Sequence, residues 1–293
     1  MTEPTHPLPP PHRSRDLPGR VRGRLRSALG VALVAAGCMP PRPVSDVSQG
    51  EPLRATVRVG APLDIELGLL RGGRPGAPRV ILVHGTPGDA NGWIDHVLRP
   101  SADMDVIAID RPGFGRSGPE GALPRLADQA AAVAALLPDD GSRAVLLGHS
   151  LGGPVVARVA ADHPDRVSAV VLLAAALDPA LETIHPMQRV GAWPPVSAML
   201  PRAIRNANVE LMDLKPELEA LGPMLATIRA KVVIVHGTAD PLVPVANVDY
   251  AQARLTGARC VRTTLLEGAD HFLPWNAFDV VQRALREALE PAC

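Results

Sequence analysis

Ser150 lies between two glycines in the run Gly148-His149-Ser150-Leu151-Gly152. The residues before it, Ala144–Leu147, read as a strand, and those from Leu151 onward read as a helix. A serine at such a junction occupies a sharp turn, and its glycine neighbours are needed because side chains there would strike the adjoining strand and helix. The hydroxyl then stands clear above the sheet. The Leu151 N–H falls at a helix N-terminus, where backbone donors stabilise developing negative charge. That is the setting of a nucleophile, which still requires a base and a group to orient the base. Of the histidines, His149 inside the turn and His236 at a strand end read as packing or hydrogen-bonding residues. His163 reads as a helix terminus, and His96 and His185 have no paired ligand spacing. Neither a metal site nor a cofactor is expected.

The elements that must position Ser150 alternate along the body of the chain. Short β-branched runs at Ala55–Val59, Asp64–Leu67, Val80–Val83, Val106–Ile109, Ala144–Leu147, Ala169–Leu173, Val232–Val235 and Cys260–Leu266 read as eight strands. Helical stretches are expected at Leu123–Leu137, Leu151–Ala161 and Ala277–Leu289. The first two strands suit a hairpin around Gly60-Ala61-Pro62, and the rest suit a mostly parallel sheet with helices on both faces. Residues 178–230 break the alternation with several prolines and amphipathic turns, and read as a small helical cap inserted at the strand ends.

With the serine turn in place, the sequence resembles the α/β-hydrolase fold superfamily, in its serine esterase-like branch. His84-Gly85-Thr86-Pro87-Gly88 follows the strand Val80–Val83 and matches the turn that supplies a second oxyanion donor, here the Thr86 N–H beside that of Leu151. Asp110-Arg111-Pro112-Gly113-Phe114-Gly115-Arg116-Ser117 is similar to a loop that in the superfamily fixes the wall beside the site, with Phe114 as a possible pocket contact. The resemblance places the acid at Asp240, in His236-Gly237-Thr238-Ala239-Asp240, and the base at His271, in Glu267-Gly268-Ala269-Asp270-His271. Asp178 stands near an alternative acid position.

The resemblance implies acyl transfer to Ser150 and hydrolysis of the acyl-enzyme, with a small to medium carboxylic ester as the small-molecule substrate. Serine C–C bond hydrolases and proline-iminopeptidase-like enzymes share this pattern. The latter use acidic cap residues to bind an amine, a role open to Glu210, Glu217 and Glu219, which charged helix faces explain as well. A catalytically inactive surface binding module is a third reading. Trp193, Met199 and Met212 are apolar candidates for the pocket wall, or for ordinary cap core.

Thirty basic and thirty acidic side chains cancel, and Phe 3, Trp 3 and Tyr 1 make an aromatic stacking platform untenable, so no nucleic-acid partner is expected. The charge is uneven, however. Residues 1–37 carry six arginines against Glu3 and Asp16, followed by a short apolar run, Ala28 to Gly37. That run is too short to span a bilayer. Together with Ala35-Ala36-Gly37-Cys38 it is similar to a bacterial lipoprotein signal, which implies export and a lipid anchor at Cys38; a cytoplasmic protein is the alternative. The expected organisation is a signal segment at 1–37, a tether at 38–53 and one domain at 54–293. Two further cysteines, Cys260 and Cys293, bracket the last strand and helix. A strand rising about 23 Å and a helix returning about 20 Å bring them to one end of the sheet, which suits either a disulfide or two free thiols.

Overall fold

The computed structural model describes residues 52–293; the expected signal segment, Cys38 and the tether through residue 51 lie outside the described residues. In chain order the elements are β1 (Leu53–Val59), β2 (Ile65–Gly73), β3 (Arg79–Val83), α1 (Ile94–Leu98), β4 (Asp105–Ile109), α2 (Leu126–Ala134), β5 (Ala144–His149) and α3 (Gly152–Asp162). They continue with β6 (Val167–Leu173), α4 (Pro186–Ala192), α5 (Pro194–Met199), α6 (Arg202–Leu221), β7 (Lys231–Gly237), α7 (Ala246–Arg254), β8 (Cys260–Leu266), α8 (Leu273–Asn276) and α9 (Phe278–Leu289).

The eight strands form one sheet in the order β1-β2-β4-β3-β5-β6-β7-β8. β1 pairs antiparallel with β2, and β2 with β4, whereas every pairing from β4 through β8 is parallel. The hydrophobic runs dictate this. Every residue of β4, β5 and β7 is buried, as parallel strands covered on both faces require. The two edges, β1 and β8, are largely exposed.

Alternation along each strand divides the core in two. Ile81 and Val83 of β3 join Leu126, Val133, Val155 and Val159 from α2 and α3 on one face. Val80 and Leu82 join Trp93, just before α1, Val97 of α1, and Val281 and Leu285 of α9 on the other.

Between β6 and β7 the chain is helical, and α6 buries one face through Asn206, Ala207, Glu210, Leu214, Leu218 and Leu221. That spacing is the 3.6-residue period, kept despite Pro216 inside the helix. The expected helix at Leu123–Leu137 is shorter, Leu126–Ala134. Pro124 keeps the residue before it out of the helical region, and at the other end Leu136 and Leu137 bond back only three residues. α1 and α7 were not expected, being short and polar enough to lack a clear period.

Cys260 and Cys293 are joined in a disulfide with Cα atoms 6.2 Å apart. The buried Lys231 holds the same end, donating to the carbonyls of Glu287 (2.7 Å) and Ala292 (2.8 Å).

Candidate active site

Ser150 leaves the end of β5 with φ +55°, a left-handed conformation that a non-glycine residue adopts only when its surroundings impose it. The imposition is visible. The Ser150 N–H donates to the Leu173 carbonyl of β6 (3.0 Å), and its carbonyl accepts from Gly153 N–H (2.9 Å) as α3 begins. A Cβ at Gly148 would stand 2.2 Å from the Gly152 carbonyl oxygen, and one at Gly152 would stand 2.4 Å from that of Val83. The close approach of strand, turn and helix therefore requires both glycines, as the sequence implied.

Asp240 and His271, the residues expected as acid and base, meet in the loops after β7 and β8. His271 Nδ1 donates to Asp240 Oδ2 at 2.7 Å, with both side chains buried. Asp240 Oδ1 accepts the N–H groups of Leu242 (2.9 Å) and Val243 (2.8 Å). Burial raises the carboxyl pKa, but the His271 hydrogen bond and charge and the two backbone donors outweigh it, leaving Asp240 below the ordinary aspartate value. Nδ1–H on His271 leaves Nε2 as the basic nitrogen. The hydrogen bonds of His271 run to Asp240 and His149, and none joins it to Ser150 as the side chains stand. Asp178 takes no part here: its carboxylate accepts from Ala180 N–H (2.9 Å) and caps a short turn.

His149 and His236 bond the loops that carry this pair. His149 Nε2 donates to the His271 carbonyl (2.9 Å), with ring centroids 4.7 Å apart, and His236 Nε2 donates to the Val243 carbonyl (2.9 Å). Burial, helped by the nearby His271, lowers the His149 pKa to about 3; burial also lowers that of His236.

On the opposite side of Ser150 lies the turn after β3. A Cβ at Gly85 would stand 2.7 Å from Ser150 Cβ and 3.3 Å from its Oγ, so this turn touches the serine side chain. Asp110 is fully buried and ties the neighbouring loop together, accepting from Ala90 N–H (2.7 Å) and Arg116 N–H (2.9 Å). Phe114 is buried with its ring edge-on to His84, 5.7 Å between centroids, and so supports this loop from within.

Two pairings here escaped the sequence reading. Arg111 is wholly buried and paired through both terminal nitrogens with the buried Glu210 of α6, at 2.7 and 2.9 Å. Glu217 accepts the Leu126 N–H (2.7 Å) at the start of α2. Glu210 is thus neither a solvated helix face nor a free carboxylate, and both glutamates have protein partners. Of the residues expected in the pocket wall, Trp193 and Met199 are 61% and 85% exposed, so neither is enclosed, while Met212 is half-buried.

Residues 78–198 match the family model described as the alpha/beta hydrolase fold. A stretch of 100 residues is 42% identical to the dihydrolipoyllysine-residue acetyltransferase component of the acetoin cleaving system of Cupriavidus necator, covering 33% of this chain and 26% of that protein. The similarity therefore spans about a quarter of that relative's length. Among solved structures, the 2-hydroxy-6-oxo-6-phenylhexa-2,4-dienoate hydrolase of Rhodococcus sp. strain RHA1 superposes with a TM-score of 0.65 at 20% identity, over 81% of this chain and 98% of that one. A membrane phospholipase A, a bacterial virulence factor, superposes with a TM-score of 0.60 at 22% identity, over 81% and 87%. At these identities the likeness speaks for architecture. Sheet order, family model and structural neighbours agree: the chain is a protein of the α/β-hydrolase fold.

Proposed function

We propose that the protein is a serine hydrolase that cleaves small to medium carboxylic esters through an acyl-enzyme. The observation that carries this reading is the buried 2.7 Å pair of His271 and Asp240, on neighbouring loops at the strand ends where Ser150 is held in a strained turn. His271 Nε2 takes the Ser150 proton as Oγ attacks the ester carbonyl, and Asp240 stabilises the resulting imidazolium. The tetrahedral oxyanion is received by the N–H groups of Thr86 and Leu151. His271 then returns the proton to the leaving alcohol. Water, activated by the same imidazole, releases the acid and regenerates Ser150.

The peptidase alternative needs free cap carboxylates to hold a substrate amine. Glu210 is spent on Arg111 and Glu217 on the α2 N-terminus, so of the three cap glutamates the exposed Glu219 alone is left for that role, which weighs toward the ester reading. C–C bond hydrolysis, the other alternative, would use the same serine and differ in the leaving group.

A fluorophosphonate probe should label wild-type protein at Ser150, and a panel of p-nitrophenyl esters should be turned over. Ser150→Ala should lose both while keeping its circular dichroism spectrum. A Ser150→Ala protein with near-wild-type turnover would sink the assignment. We propose export through the segment 1–37, with a lipid anchor at Cys38. Cys38→Ser should move the protein out of the membrane fraction, and a wild-type protein found in the cytosol with that segment uncleaved would refute export.

A further inference from the structure

We propose that Arg111 is a positioning residue of the oxyanion turn: together with His84 it fixes the plane of the Gly85–Thr86 peptide, and Glu210 of α6 fixes Arg111. This rests on the ester-hydrolase reading for its kinetic consequences but not for its geometry.

The Gly85–Thr86 peptide is trans, so its C=O and N–H point in opposite directions. Whatever holds the Gly85 oxygen therefore aims the Thr86 hydrogen. Two donors hold that oxygen, His84 Nδ1 at 2.6 Å and Arg111 Nη2 at 3.0 Å. The tautomer of His84 is decided locally. Its Nε2 accepts the Arg111 backbone N–H at 3.0 Å, which places the single proton of the neutral ring on Nδ1, facing the Gly85 oxygen. The preceding peptide is held in the same way, because Arg111 Nε donates to the His84 carbonyl at 2.9 Å. Two successive carbonyls are thus turned toward one guanidinium, and the Thr86 N–H is turned from it. Gly85 itself lies against the Ser150 side chain, so the peptide so fixed borders the nucleophile.

A lysine cannot reproduce this. The guanidinium is a planar fork that serves the His84 oxygen, the Gly85 oxygen and both Glu210 oxygens from fixed angles, whereas an ammonium is a point donor. Glu210 supplies the countercharge without which a buried Arg111 would be untenable, and Gln129 Nε2 bonds the same carboxylate at 3.0 Å. The carboxylate comes from the helical segment between β6 and β7. The aim of an oxyanion donor is therefore set by a residue of the cap, 99 positions away in sequence from the arginine it holds.

The test compares wild type with Arg111→Lys and with the double variant Arg111→Met/Glu210→Met, which removes both charges and keeps an apolar volume in their place. For each, kcat and KM are measured on the best p-nitrophenyl ester. Inhibition is measured with a trifluoromethyl ketone, which forms an oxyanion on Ser150, and with the matching ether, which does not. The expected result is a fall in kcat and in ketone affinity of about 100-fold each, with KM and ether affinity changed by no more than about threefold. A merely structural role would weaken ketone and ether alike, and would overturn the proposal. So would a folded double variant with wild-type kcat and ketone affinity. A crystal structure of the double variant reads the geometry without reference to any substrate. A rotated Gly85–Thr86 plane supports the proposal, and an unmoved plane overturns it. If wild-type protein hydrolyses no ester and binds no ketone, the ester reading fails, and the crystal structure still decides the positioning.

Discussion

Asp240 differs from the other carboxylates near the strand ends in what its two oxygens do. One receives His271 and the other is saturated by two backbone N–H groups, so the carboxylate cannot turn, and its pKa below the ordinary value keeps it ionised at neutral pH. Asp240→Asn should lower kcat by about 10⁴-fold, because the imidazole loses the partner that selects its tautomer. Asp178→Asn should stay within a few-fold of wild type. An active Asp240→Asn beside a dead Asp178→Asn would reverse the assignment. Ser150, Asp240 and His271 could be singled out in the sequence because each follows a strand in a loop with a recognisable spacing, and the structure joins the last two by a hydrogen bond. Arg111 and Glu210 were not legible as partners. Each read as an ordinary charge, one in a loop and one on a helix, and nothing local to either says that both will be desolvated.

At the scale of elements, the sequence located every strand, because β-branched runs bounded by turn residues survive any detail of packing. It placed α3 and α9 to within one residue at each end but overran α2 at both, where the start depends on a cap supplied from elsewhere. The N-cap of α2, Arg125, offers no side-chain acceptor, and the missing acceptor is Glu217 of α6, which takes the Leu126 N–H. Glu217→Ala should therefore cost about 1 kcal/mol in urea denaturation, the usual worth of a charged acceptor at a helix N-terminus. Ester turnover should be unchanged, since this contact lies on the α2 side of the cap. A stability equal to wild type would show that water replaces the carboxylate at no cost.

Within residues 52–293 a disulfide ties one end of the sheet, and buried imidazoles bond the loops at the other. The Cys260–Cys293 disulfide spans 33 residues, and the two cysteines could be paired in advance from the lengths of β8 and α9, though not distinguished from free thiols. Cys260→Ser/Cys293→Ser should unfold at lower urea concentration, with a loss of about 3–4 kcal/mol from the freed unfolded chain. An unchanged midpoint would mean that the bond constrains nothing. Four buried histidines each donate one N–H to a backbone carbonyl: at strand ends His84 to Gly85, His149 to His271 and His236 to Val243, and from α1 His96 to Pro274 of α8. Burial lowers all four pKa values, to about 4 for His96 and about 3 for His149. In the unfolded chain the same rings protonate near pH 6.5. The native state therefore binds fewer protons than the unfolded state below that pH, and stability must fall as pH falls. Each ring contributes about 1.4 kcal/mol per pH unit until its own folded pKa is reached. Asp240, whose folded pKa is also depressed, adds its share only below about pH 4, where the unfolded carboxylate protonates. The urea midpoint should thus be level above about pH 7 and drop steeply between about pH 6.5 and 4. A flat midpoint across that window would mean that the four imidazoles are not held neutral, and the loops they bond would then need another explanation for their fixed positions.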